Sequence, residues 1–189
     1  MFPGYWQKPA ATAECFDQDG WFRTGDIAHL DSDGYLSITD RKKELLKTSG
    51  GKMVAPQPIE NKLKNNVLVA QAALVGDKHK LISAILSPNF VALEEWAAHN
   101  GIEAKSRAEL VADSRVTALY GDIVSEVNGG LANFETLKRF RVVADEWTQE
   151  SGELTPSMKL KRRAINARYK SLIDALYADE ATARGELDR

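Results

Sequence analysis

A single cysteine, Cys15, stands in the whole chain. That scarcity rules out an internal disulfide framework and a cysteine-built zinc site, and it suits a reducing compartment. Cys15 also lies in a polar stretch without a basic neighbour, so it is not expected to be a reactive thiolate. No apolar run approaches the ~20 residues that span a bilayer. The opening MFPGYWQKPA has neither a basic start nor an apolar stretch, so it does not read as a secretory signal. Charge of one sign is missing as well: 25 Lys and Arg oppose 27 Asp and Glu, a formal net charge of −2. Without a global positive field, nucleic acid is not an expected partner, and any anion site must be local. The histidines, His29, His79 and His99, lack metal-like spacing, so no metal ligands are expected and each reads as a surface or turn residue. The length of 189 residues suffices for one ordinary domain, or for a small domain plus a piece of another.

What is present is concentrated between Gly20 and Glu60. There Thr24-Gly25-Asp26 offers a carboxylate on a turn, Asp40-Arg41-Lys42-Lys43 offers adjacent cations, and Ser49-Gly50-Gly51-Lys52 offers open backbone amides. A ligand with vicinal hydroxyls and a phosphate, such as a nucleotide, suits that combination. Each piece also has an ordinary explanation: turns attract Asp and Gly, and a charge run is usually a solvated face.

Periodicity predicts mixed strands and helices. The first 40 residues read as short strands and tight turns, including Trp21-Phe22-Arg23. Asp31-Ser32-Asp33-Gly34 is the hairpin turn before a strand at Tyr35–Thr39. Residues 59–66 read as a helix started by Pro58. Strands are expected at 69–76 and 81–87, joined by Asp77-Lys78-His79-Lys80. Helices follow at 91–99, 106–112 and 114–128, the last interrupted by Gly129-Gly130. A strand at 139–143, a polar loop at 148–156 and one terminal helix at 162–177 complete the pattern, with a frayed tail from Ala178. Trp6, Trp21, Trp96 and Trp147 are expected to be packing anchors. One small hairpin cannot bury a core, so the opening strands read as the end of something larger. The expected fold class is α+β: a small lid domain with a short sheet flanked by helices. Its expected parts are 1–39 as the end of a large domain, 40–47 as a hinge linker, and 48–189 as the lid, with a helical insertion at about 88–138.

These motifs, in this order, resemble those of AMP-forming acyl-CoA synthetases of the adenylate-forming superfamily, which also holds luciferases and nonribosomal peptide adenylation domains. Gly4-Tyr5-Trp6, Gly20 to Asp26, Asp33-Gly34-Tyr35, Asp40 to Glu44, Ser49 to Lys52 and Pro56 to Glu60 carry the likeness. Leu154 to Arg163, LTPSMKLKRR, resembles the family's terminal lysine motif. Met158 departs from it, standing where many members have glycine. The helical stretch between Ser87 and Arg139 resembles the long-chain fatty acyl-CoA synthetase branch. No Ser/Thr/Gly-rich phosphate loop occurs, so the likeness is to a C-terminal portion.

The resemblance implies roles residue by residue. Asp26 would bind the ribose of ATP and AMP, and Arg41 would contact the nucleotide. Lys43 would be the hinge, with Asp40 the first residue of the linker. Ser49, Gly50 and Gly51 would line the passage for the pantetheine of CoA, and Lys47 would face the active site in that second state. Lys159 would be the catalytic lysine bridging acyl carboxylate and α-phosphate, with Lys161 the fallback register. Glu60 reads instead as a first-turn helix charge. ATP, Mg2+ and CoA are implied as substrates of the full-length enzyme, with a fatty acid as the acyl donor and nothing tightly bound to this portion, which alone would be inactive. A carrier-protein acceptor and a non-catalytic nucleotide-binding module are the alternatives. The expected location is cytoplasmic; the Lys161-Arg162-Arg163 cluster leaves open a peripheral contact with the inner face of a membrane, although a solvated helix start explains it as well. Acyl-chain length and oligomeric state are not legible.

Overall fold

The computed structural model describes residues 2–179, and the chain divides into two compact units, Met1–Leu45 and Leu46–Arg189. In the first unit a short helix, α1 (Pro9–Glu14), stands where only strands and turns are expected. Its proline lies in the first turn, where a missing N–H costs nothing. Strands β1 (Asp26–Leu30) and β2 (Leu36–Arg41) pair antiparallel, with a bulge between Ile27 and Ala28. The predicted turn joins them: Asp31 Oδ1 accepts from the N–H groups of Asp33 at 3.0 Å and Tyr35 at 2.8 Å. Gly34 supplies the positive φ of +87°. Trp21-Phe22-Arg23 is not a strand; only an isolated bridge from Phe16 to Phe22 forms there. Leu30, Leu36 and Ile38 are exposed, and among the described residues no hydrophobic side chain of this unit is buried.

The second unit is an α+β domain with its own core, as the sequence predicts. A two-stranded ribbon, β3 (Leu46–Lys47) with β4 (Met53–Val54), opens it. Helix α2 (Pro56–Lys64) follows, its start set by prolines in the first turn. The main sheet has the order β5 (Val69–Val75), β6 (Ile82–Pro88), β7 (Leu137–Val142). The first pair is antiparallel and the second parallel. A parallel pair requires a long crossover, and here it carries α3 (Phe90–His99), α4 (Arg107–Ala112), α5 (Ser114–Asn128) and a 3-10 turn at Asn133–Glu135.

Alternation along β5 divides the core in two. Ala72 and Leu74 join the cluster built from α2, α3 and α5, which includes Leu63, Leu93 and Tyr120. Ala73 and Val75 join the opposite cluster with Ile85, Trp147, Leu154, Ile165 and Tyr177. Every residue of β6 is buried, the mark of a strand covered on both faces. Small residues oppose large ones across the pair: Ala72 faces Leu86, Leu74 faces Ala84, and Ala73 faces Ile85. Helices pack on both faces of the sheet.

Two expectations need correction here. The terminal helix is two helices, α6 (Arg162–Arg168) and α7 (Lys170–Leu176), broken at Tyr169. The break coincides with a fixed side chain: Tyr169 Oη accepts from Trp147 Nε1 at 3.0 Å and donates to Asp145 at 2.9 Å. Trp6 and Trp21 are not packing anchors, being 86% and 70% exposed; Trp147, at 3%, is one, and Trp96 packs partly against the first cluster. Most of the polar tail lies outside the described residues.

Candidate functional site

The chemistry-bearing residues fall into three local groups. In the first unit, Asp26 and Arg41 stand opposite each other in the β1–β2 register. Their side chains form an ion pair at 3.3 Å, with Arg41 the more exposed partner. Thr24 Oγ1 accepts from the Asp26 N–H at 3.1 Å, and Gly25 takes φ +77° with open space around the position of a Cβ. The carboxylate is thus held on a fixed strand start beside an uncluttered turn. Asp40 lies inside β2 opposite Ile27. It is buried, and its Oδ1 accepts from the Arg41 N–H at 2.6 Å. A tight turn follows, closed by the Glu44 N–H on the Arg41 carbonyl at 2.8 Å. Exposed Lys43 lies inside that turn, two residues before the division between the units.

The second group is the ribbon that opens the second unit. Lys47, Ser49, Gly50 and Gly51 are all exposed on it. Thr48 ties the loop shut: its Oγ1 accepts from the Lys52 N–H at 3.1 Å, and its carbonyl accepts from the Gly51 N–H at 2.9 Å. Gly51 takes φ +80° with no atom within 4 Å of a hypothetical Cβ. The loop is therefore a smooth, low rim next to a lysine. It is fastened from beneath, because the Lys47 N–H donates to Asp77 Oδ1 at 3.1 Å and the Ser49 N–H donates to the His79 carbonyl at 2.9 Å.

The third group is the lysine motif, a small hairpin. Leu154 and Leu160 form an antiparallel bridge. Inside it, the Thr155 N–H donates to the Lys159 carbonyl at 2.8 Å, and the Lys159 N–H donates to Thr155 Oγ1 at 3.1 Å. Lys159 is exposed. Met158 has φ +59°, a conformation that favours glycine, and its sulfur accepts from Gln149 Nε2 at 3.4 Å.

Two buried carboxylates hold this hairpin, and the sequence reading missed both. Glu60 is not a first-turn charge: it lies beyond the first turn of α2 and is buried. Each of its oxygens accepts from Arg162 at 2.8 Å, and Oε1 also accepts from the Leu74 N–H at 2.7 Å. Arg162 is accordingly not part of a solvated cationic cluster; the pairing takes it out of the Lys161-Arg162-Arg163 run. Glu153 is buried too and pairs with Arg168, which also reaches Asp145 at 2.9 Å. Burial pushes the Glu153 carboxyl up, but hydrogen bonds from Ser151 and Arg168 outweigh it and hold the group below its ordinary value. The Lys161 N–H donates to the Glu153 carbonyl at 2.7 Å. Both stems of the lysine hairpin thus end on buried carboxylates paired to arginines. The signal available in the sequence was the pairing of two acidic residues with two arginines, but separations of 102 and 15 residues hide it.

Among the described residues no helix is long and apolar enough to cross a membrane.

Comparison with known proteins places the chain in a family. The model of the AMP-binding enzyme C-terminal domain covers residues 43–181. The long-chain-fatty-acid–CoA ligase FadD15 of Mycobacterium tuberculosis is 39% identical over 181 residues, covering 95% of this chain and 30% of that protein. The long-chain-fatty-acid–CoA ligase ACSBG2 of Gallus gallus is 34% identical over 200 residues, covering 96% of this chain and 26% of that protein. Among solved structures, the adenylation domain of a carboxylate reductase from Mycobacterium chelonae superposes with a TM-score of 0.75 at 33% identity, covering 94% of this chain and 26% of that one. The chain spans less than a third of the length of these relatives. The chain belongs to the AMP-binding enzyme C-terminal domain family and corresponds to the C-terminal part of adenylate-forming acyl-CoA synthetases.

Proposed function

We propose that this chain is the lid and the adjoining edge of a long-chain fatty acid–CoA ligase that works in two half-reactions on one site. In the first, a fatty carboxylate oxygen attacks the α-phosphorus of ATP, the bond to the β-phosphate oxygen breaks, and pyrophosphate leaves. Lys159 neutralises the charge that gathers between carboxylate and α-phosphate, an electrostatic role that costs no reorganisation when the donor is held in advance. Asp26 accepts from the ribose hydroxyls and Arg41 contacts the nucleotide. Mg2+ enters with ATP, and no residue of this chain is assigned to it. In the second half-reaction the lid turns about Lys43, Lys159 withdraws, and the rim of Ser49, Gly50 and Gly51 with Lys47 comes to the site. The CoA thiolate attacks the acyl carbonyl carbon, the bond to the AMP oxygen breaks, and acyl-CoA and AMP are released. A conformational step of this kind lets one site host two chemistries in turn.

The observation that carries this reading is the lysine hairpin, an exposed lysine on a stem fixed at both ends by buried carboxylates paired to arginines. The glycine-like φ of Met158 favours Lys159 over Lys161, because it puts the bend where related motifs have glycine. The test uses the intact protein that contains this chain. With a long-chain fatty acid and Mg-ATP it should exchange labelled pyrophosphate into ATP, and with CoA it should release AMP and acyl-CoA. Lys43→Pro should keep the exchange and stop the transfer. An intact protein with no carboxylate-dependent exchange would refute the reading.

A second reading rests on a specific likeness. The A-PCP didomain of a carboxylic acid reductase from Segniliparus rugosus superposes on 97% of the chain with a TM-score of 0.75. That likeness supports a carrier-bound thiol as the alternative acceptor to free CoA. Supplying CoA alone decides between them, since a carrier-dependent enzyme would stop at acyl-AMP.

A further inference from the structure

The turn between β5 and β6 carries no role in the reading above, yet it is built more tightly than a connecting turn requires. It makes three hydrogen bonds to the ribbon that carries the glycine loop. Asp77 Oδ1 accepts from the Lys47 N–H at 3.1 Å. The Lys78 N–H donates to the Lys47 carbonyl at 2.7 Å, and the His79 carbonyl accepts from the Ser49 N–H at 2.9 Å. Beneath it the His79 ring stacks on Tyr177, with centroids 3.7 Å apart and planes inclined by 17°. Tyr177 is buried, and its hydroxyl donates to the Val75 carbonyl at 3.0 Å. Gly76 completes the fit: at φ +137° a Cβ would stand 2.7 Å from the Leu81 carbonyl oxygen and 3.0 Å from Tyr177 Oη.

We propose that Asp77, His79 and Tyr177 are positioning residues for the thioester-forming half-reaction, fixing the height and direction of Lys47 and the Ser49-Gly50-Gly51 rim through a stacked platform under the loop. This rests on the assignment of that rim to the CoA side of the reaction. Three features point the same way. Two of the three rim residues are glycines without side chains, and Gly51 adds backbone freedom through its positive φ. Its strands, β3 and β4, are only two residues each, too short to set the geometry alone. Beyond the closure that Thr48 supplies within the loop, support comes from residues 77 to 79 and, through His79, from the end of the last described helix. A rim guiding a long thin ligand loses rate steeply when misplaced, by about a hundredfold for an error near 1 Å. Rigid support from beneath is therefore part of its function.

The stack and the hydrogen bonds are separable. The bond from Ser49 goes to the backbone of His79, so changing the ring leaves it in place. In the intact protein, His79→Ala should lower CoA-dependent release of AMP from acyl-AMP about tenfold, with pyrophosphate exchange held within about twofold of wild type. His79→Phe, which keeps a ring on Tyr177, should restore the transfer. Asp77→Ala, at an exposed turn, should lower the same step and spare the exchange. Equal losses in both half-reactions for His79→Ala would overturn the proposal, because a merely structural residue acts on both. So would unchanged transfer in His79→Ala and Asp77→Ala, or a transfer defect that His79→Phe does not repair. Wild-type behaviour separates this from the parent reading: if the intact protein forms acyl-AMP but gives it to no thiol, the assignment of the rim fails. If wild type transfers and the variants keep pace, only the platform fails.

Discussion

Met158 takes a conformation that glycine adopts freely, at φ +59°, and it sits one residue before the lysine on which the proposed chemistry depends. A non-glycine residue there stores on the order of 1 kcal/mol of strain, which persists only because the surroundings over-determine the bend. Those surroundings are the residue-scale surprise of this chain. Glu60, an ordinary-looking helix charge, is buried and forked by Arg162 at 2.8 Å on both oxygens. Removing one partner leaves the other charge uncompensated, so Arg162→Met should lower the unfolding free energy by about 3 kcal/mol. Denaturant titration of the intact protein checks this; a loss below about 1 kcal/mol would show that the pair is not an anchor. Glu153 makes a pH-dependent contribution. Its folded carboxyl is held below its ordinary value, because hydrogen bonding from Ser151 and Arg168 outweighs burial. The unfolded chain therefore binds the proton more readily, and the stabilisation is complete above about pH 4.3 and lost as pH falls through the folded value. Glu153→Gln should flatten the acid limb of a stability–pH curve, and an unaltered limb would contradict the assignment.

At the scale of elements, the main-sheet strands and the crossover helices of the second unit follow from the sequence because their signals are local. The run at 69–75 alternates between two core clusters, and β6 is buried throughout. Asn89, Ser106 and Asp113 each cap the helix that follows. What the sequence hides is what distant residues impose. The split of the terminal helix at Tyr169 follows from contacts to Asp145 and Trp147, and helical periodicity carries no trace of them. Helix α1 was missed for a different reason: six residues without a buried face give no periodicity to read. The motif residues Asp26, Arg41, Lys47, Gly50, Gly51 and Lys159 could be picked out in the sequence only because they resemble a known order; their spacing alone fits ordinary turns and solvated charges. His79 and Tyr177 could not be found at all, since one reads as a turn residue and the other as a helix end. Gly76 records their packing. Gly76→Ala forces a Cβ into the Leu81 carbonyl and the Tyr177 hydroxyl in a left-handed backbone, so it should destabilise the second unit by about 2–3 kcal/mol, read as a lower thermal midpoint. A midpoint within a degree or two of wild type would mean that the β5–β6 turn yields easily.

On the scale of the whole molecule, the contrast between the two units is the informative fact. The second has a core on both faces of its sheet, whereas the first buries no hydrophobic side chain among the described residues. Candidate groups are distributed across that division: Asp26 and Arg41 on one side, the glycine rim and the lysine hairpin on the other, and Lys43 close to the boundary. The account stands or falls on Lys159 serving one half-reaction only. In the intact protein, Lys159→Ala should reduce carboxylate-dependent pyrophosphate exchange by at least about a hundredfold, while supplied acyl-AMP is still converted to acyl-CoA at close to the wild-type rate. Equal loss in both half-reactions, or exchange that survives the substitution, would contradict it.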